Sequence, residues 1–228
     1  MRRLLRASTL ALAIAPLLLA GCLGSAAAGT AQANLPPAES RAKEWHSGAT
    51  LYMIVGAEGT WIGAFAGGGG FGLSSGERSR VQSDGTVGDG RTEVWVYVFK
   101  AAGKSKAFVV VTDKDGKVLR AEETDASDTN ELLPVGEWKI NSDEALRRAK
   151  DANEGLRRGV ESSNFGIAEI LRREQGETRA QWHIAGGGGD ASGGGGGYVK
   201  LDAVTGQVLE SQGGYGSASG FGGWTGYP

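Results

Sequence analysis

The side chains able to do chemistry in this chain are few: one cysteine, Cys22, and two histidines, His46 and His183, among 228 residues. A lone thiol cannot close a disulfide within the chain. A catalytic imidazole needs a nucleophile or carboxylate beside it, and a metal centre needs several converging ligands. His46 follows Trp45 at the end of a helical pattern and His183 follows Trp182 inside a strand pattern, so nothing in their spacing joins them. The runs Gly67-Gly68-Gly69-Gly70-Phe71-Gly72 and Gly186 to Gly189 lack the following Lys-Ser or Lys-Thr and helix start of a phosphate loop, so they read as flexible linker. Asp113-Lys114-Asp115-Gly116 begins like a calcium loop but lacks its later acidic ligands, and reads as a hairpin turn. No cofactor, no metal and no enzymatic activity is expected.

Cys22 has its own context. Arg2, Arg3 and Arg6 give a basic start, and Ala7 to Ala20 is an apolar run of 14 residues. That is short of the roughly 20 needed to span a bilayer. The run closes on Leu19-Ala20-Gly21-Cys22, which resembles the lipobox of bacterial lipoproteins. The resemblance implies a signal peptide over 1–21, a lipid on the Cys22 sulfur, and membrane anchorage on the exported side of the envelope. Leu23 replaces the aspartate that marks inner-membrane retention, which points to the outer membrane where two membranes exist. Removing residues 1–21 takes away three arginines and no acids, moving the formal charge from −2 to −5. That balance argues against nucleic acid as a partner. It also leaves anchoring to the acyl chains.

The rest of the chain is read for elements. Residues 22–37 are small, polar and proline-ended, as a tether would be. Ala38, Ala42 and Trp45 share a helical face over 38–46, and Leu51 to Val55 has strand length. A further strand is expected near Trp61 to Phe65. Val94, Val96 and Val98 alternate with Trp95, Tyr97 and Phe99, predicting a central strand with two apolar faces. Strands over 107–112 and 117–121 follow, and the acid-rich 122–131 reads as solvated linker, with the boundary between halves placed at 124–137. Asn141 or Ser142 caps the next helix, with Glu144 in capping-box position. Ala145, Ala149, Ala152, Leu156 and Val160 form one stripe along it. Two hairpins complete the pattern, separated by a glycine loop at 186–197, before a Gly-rich tail with spaced aromatics (212–228) expected to be disordered.

The halves repeat. Phe108 to Leu119 parallels Gly197 to Leu209, and Trp95-Val96-Tyr97 corresponds to Gln181-Trp182-His183. The second half, over 138–211, resembles a PepSY domain. The resemblance rests on Ile140-Asn141-Ser142-Asp143-Glu144-Ala145-Leu146, Trp182-His183-Ile184, and Tyr198-Val199-Lys200-Leu201-Asp202-Ala203-Val204-Thr205-Gly206-Gln207-Val208-Leu209. A weaker echo covers 38–123. It implies an α+β fold of two tandem helix-plus-antiparallel-sheet units, and a non-catalytic envelope module that binds peptides or inhibits a peptidase. An extended peptide would add to a free sheet edge. The alternative is a structural envelope lipoprotein that associates through its glycine-rich segments.

Overall fold

The structure, a computed structural model, describes residues 27–59, 87–125, 129–162, 164–190 and 193–213. Their order is α1 (Ala31–Trp45), β1 (Thr50–Gly59), β2 (Val94–Lys100), β3 (Lys106–Asp113), β4 (Val118–Asp125), β5 (Leu132–Leu133), α2 (Ser142–Ala152), α3 (Glu154–Gly159), β6 (Phe165–Glu174), β7 (Gln181–Asp190), β8 (Gly193–Asp202) and β9 (Val208–Gly213). The strands form one antiparallel sheet in the order β4-β3-β2-β1-β6-β7-β8-β9, with short β5 also paired to β6. The first half lays α1, and the second half α2 and α3, over a four-stranded meander, and the halves meet edge to edge where β1 pairs β6 from Met53↔Arg172 to Gly59↔Gly166. The α+β expectation therefore holds in its broad form.

All three helices lie on one face, because every strand there turns its bulky residues the same way. Ile54, Trp95, Tyr97, Phe99, Phe108 and Val110 pack with Ala31, Ala38 and Ala42 of α1. Ile167, Leu171, Trp182, Ile184, Val199 and Leu201 pack with Ala145, Leu146, Ala149 and Leu156 of α2 and α3. The opposite face carries a second buried cluster built on Val94, Val96, Val98, Val109, Val111, Met53, Val55 and Ile170. Side-chain alternation along a strand makes both clusters legible from the Val-Trp-Val-Tyr-Val-Phe run.

Repeat and hydrogen-bond register agree at one residue's offset from the sequence match. Trp95 pairs Thr112, one residue before the Asp113 turn; Trp182 pairs Leu201, one residue before the Asp202 turn. The equivalent of Trp95 is therefore Trp182, not Gln181, since a one-residue slip would put the side chain on the wrong face. Both indoles are fully buried and do the same job. Trp95 Nε1 donates to Gly29 O and Trp182 Nε1 to Ile140 O, both at 2.7 Å. Each acceptor is the residue just before a helix N-cap, Thr30 or Asn141.

Several sequence expectations are corrected. The tether over 22–37 is too long, because α1 starts at Ala31 and contains Pro36 and Pro37. Its first turn is completed from the other half: Ala31 N donates to Ser142 Oγ and Gln32 N to Asn141 Oδ1, both at 3.1 Å. Such long-range caps leave no local signature. The acidic stretch 122–131 is not linker throughout, since β4 runs to Asp125 and Leu132–Leu133 pairs with β6 inside the proposed 124–137 boundary. The capping box does not form: Asn141 Oδ1 accepts from Ser142 N, while Glu144 turns to Arg147 and Arg148. The stripe from Ala145 to Val160 is broken at Asn153, whose φ of −139° ends α2 and whose Oδ1 caps α3 at Leu156 N.

The largest correction concerns glycine. Residues 186–190 and 193–197 are not a flexible loop but the outer ends of β7 and β8, with Gly186 to Gly189 paired to Gly197 to Gly194. α3 rests directly on this side-chain-free ladder. A β-carbon on Gly155 would sit 3.0 Å from the Gly196 carbonyl carbon and closer still to its oxygen; one on Gly159 or Gly186 would enter the Phe165 ring. Glycine is used here for close approach, helix backbone on strand backbone. Gln212 and Gly213, placed in the disordered tail, instead end β9, paired with Tyr198 and Gly197; the expected strand near 61–65, the run 67–72 and the tail beyond residue 213 lie outside the described residues.

Candidate functional site

Among the described residues β9 is the free edge of the second half, hydrogen-bonded to β8 on one side only. All six of its residues are exposed. Val208 and Leu209, 38 % and 46 % exposed, are the large apolar side chains left open to solvent among the described residues. An unpaired strand edge presents a row of N–H and C=O groups that any extended chain can complete.

The edge is held rigidly from behind. The Asp202 carboxylate closes the β8–β9 turn, with Oδ1 accepting from Val204 N at 2.9 Å and Thr205 N at 2.7 Å. Burial alone would raise this acid, but those amide bonds outweigh it and hold the group below its ordinary range. Arg148 of α2 donates to the Gly206 carbonyl at 3.1 Å, and Gly206 takes a φ of +71°, the left-handed region that favours glycine. Asn153 Nδ2 reaches the Gln212 carbonyl at 2.8 Å, tying the far end of β9 to the α2–α3 junction. The signal that would have found Asn153 in the sequence is a good N-cap residue inside a helical stripe.

The two histidines are not brought together. His46 Nδ1 accepts from Gly48 N at 3.0 Å where α1 ends. His183 lies on β7, buried, with Nδ1 2.8 Å from the Tyr198 hydroxyl of β8. Burial, helped by the charges of Arg172 and Lys200, pushes the His183 imidazole down to about 3, so it is neutral. Burial likewise pushes Tyr198 up to about 12. The Asp113 carboxylate caps its own turn, accepting from Asp115 N and Lys117 N at 3.1 and 2.9 Å. Among the described residues no three His, Cys, Asp or Glu side chains converge as a metal site would require. Cys22 and its neighbours Leu19, Ala20 and Gly21 lie outside the described residues.

No protein-family model and no curated protein matches the chain. Among solved structures, one similar chain is a candidate lipoprotein from Clostridium difficile 630, at 12% identity over 78% of this chain and 90% of that one. The TM-score is 0.38, too loose an overlap to transfer fold or function.

Proposed function

We propose that this chain is a lipid-anchored, non-catalytic module of the bacterial envelope, built from two PepSY-like units fused edge to edge, and that β9 captures an extended peptide. The lipid anchor is supported by the Leu19-Ala20-Gly21-Cys22 sequence and its basic, apolar lead. Among the described residues no helix is long and apolar enough to cross a membrane. The observation that carries the peptide reading is the β9 edge itself, exposed along its length and unpaired among the described residues, apolar at Val208 and Leu209, and braced by Asp202, Arg148 and Asn153. Strand addition would complete the ladder and cover those two side chains. A peptide held this way is shielded from a protease or withheld from its own partner, which suits an inhibitory role.

The test is capture of fluorescent nonapeptides with alternating apolar residues by the purified chain. Leu209→Lys should weaken binding by tenfold or more while moving Tm by no more than about 2 °C, since an exposed edge residue contributes little to the fold. Equal affinity in wild type and variant, or no binding to any such peptide alongside unchanged rates of envelope peptidases, would sink the proposal.

A further inference from the structure

The seam between the halves buries two carboxyl groups, Glu58 near the end of β1 and Glu169 in the middle of β6, neither accessible to solvent. They face the helix side, two positions apart across the β1–β6 ladder, since Glu169 pairs Gly56. Glu58 is held by the segment that leads into β2: Oε1 accepts from Gly90 N at 2.9 Å and Oε2 from Gly88 N. Among the described residues neither carboxyl oxygen of Glu169 has a hydrogen-bond partner, and the charge that acts on it most strongly is that of Glu58. Two carboxyls buried this close together cannot both stay ionised, so at least one of them carries a proton.

The same segment is the knot of the molecule. Gly90 O accepts from Ser142 Oγ at 2.7 Å, and Ser142 Oγ accepts from Ala31 N, so the first turns of α1 and α2 meet there. Lys150 Nζ donates to Gly88 O. The seating is tight: any side chain at Gly90 would collide with the α2 backbone at Asp143, and one at Gly88 with Val160. Among the described residues, the charged groups around the pair are Asp89 on the segment and Asp143 and Lys150 on α2, with Arg91 farther along the segment beside Gly29; the first turn of α1 contributes none. Lys150 spends its hydrogen bond on a carbonyl, so the site holds more acid than base.

We propose that Glu58 and Glu169 form a proton-gated clasp: protonated, the pair seats residues 87–91 on the sheet and locks the two helix N-termini, and loss of its protons frees the segment. The direction follows from linkage. Once exposed, both groups ionise as ordinary carboxylic acids, with pKa near 4.5; in the closed seam burial pushes Glu58 up to about 7, and burial with the Glu58 charge raises Glu169 well above its usual range. Opening therefore releases protons throughout the interval between those values. Each proton released makes opening tenfold easier per pH unit. Glu169 sits mid-strand in the sheet, so the part that moves is Glu58 with the 87–91 segment.

The experiment is amide hydrogen exchange on the full chain from pH 5 to 7, corrected for intrinsic exchange chemistry. Protection of the Gly88 and Gly90 amides and of the first turn of α2 should fall at least tenfold per unit, while β3 amides stay level. In the Glu58→Gln, Glu169→Gln double variant that slope should vanish; in Glu169→Gln alone it should be reduced, which serves if the double variant does not fold. Flat protection of residues 87–91 in the wild type, or an undiminished slope in the variants, overturns the clasp.

Discussion

The seat of α3 on the glycine ladder makes a prediction whose sign separates two views of those glycines. Gly155→Ala adds one methyl to a short helix. Were the segment beneath it a mobile linker, alanine would stabilise the helix by up to about 1 kcal/mol. In the structure the new β-carbon lies 3.0 Å from the Gly196 carbonyl carbon and inside contact distance of its oxygen. Both neighbours are backbone, one in a helix and one in a paired strand, so neither has a side chain to swing aside. Overpacking of this kind costs about 1–3 kcal/mol. With a urea m-value of about 2 kcal/mol per M for a domain this size, the midpoint should drop by roughly 0.5–1.5 M with m unchanged. Urea titration followed by tryptophan fluorescence reads this directly. Gly176→Ala is the reference, because its φ of +88° strains any side chain although nothing lies within 4 Å of it. It should lose about 1 kcal/mol from backbone strain alone. A higher midpoint for Gly155→Ala than for wild type would refute the seat.

Three further outcomes follow from the structure. Trp95→Phe and Trp182→Phe each delete an indole N–H that serves a carbonyl ahead of a helix, on buried Gly29 and half-buried Ile140, and each leaves a void. Losses of about 2–4 kcal/mol, within about 1 kcal/mol of each other, are expected by thermal or urea unfolding; a neutral result for either would break the equivalence of the halves. Glu144 is held down to about 2, first by its hydrogen bond from Arg147 and then by Arg148. A depressed carboxylate stabilises above its unfolded pKa near 4.5 and loses that as pH falls to about 2. The pair is largely solvent-exposed, so Glu144→Gln should cost under about 1 kcal/mol at pH 7, with the difference from wild type closing across that acid window. Finally, Cys22→Ser should leave the fold intact and move the protein from membrane to soluble fractions; a Cys22→Ser variant that still pellets with membranes would sink the lipid anchor.

Much of the fold was legible because strands write their faces into the sequence. Val94 to Phe99 predicts a central strand, and Asp113 to Gly116 and Asp202 to Gly206 predict their turns, with a carboxylate bonded to amides ahead of it in each. What could not be read depends on partners far along the chain. The start of α1 is completed by Asn141 and Ser142, about 110 residues away, so a proline-containing segment that looks like a tether folds as helix. The glycine run of β7 and β8 misled because composition reports the lack of side chains but not that α3 fills the space. For the site, the β9 edge follows from its place as the last hairpin strand. Glu169, a single acid between Ile167-Ala168 and Ile170-Leu171, carried a signal of its own, since an acid amid buried alternation needs a partner. Only the β1–β6 register reveals that partner as Glu58.

The glycine ladder also bears on how this protein can change over time. Strand alignment is ordinarily specified by side chains that fit only one way, yet from Gly186 outward β7 and β8 carry none on either strand through Gly189↔Gly194. Alignment there is inherited from Trp182, Ile184, Val199 and Leu201 below and from the footprint of α3 above. Matched glycines can be gained or lost beyond that footprint without disturbing any buried residue, whereas a single unmatched one shifts every position past it. Relatives should therefore vary in the length of this arm by even steps, with the helix footprint of Gly155 and Gly159 kept.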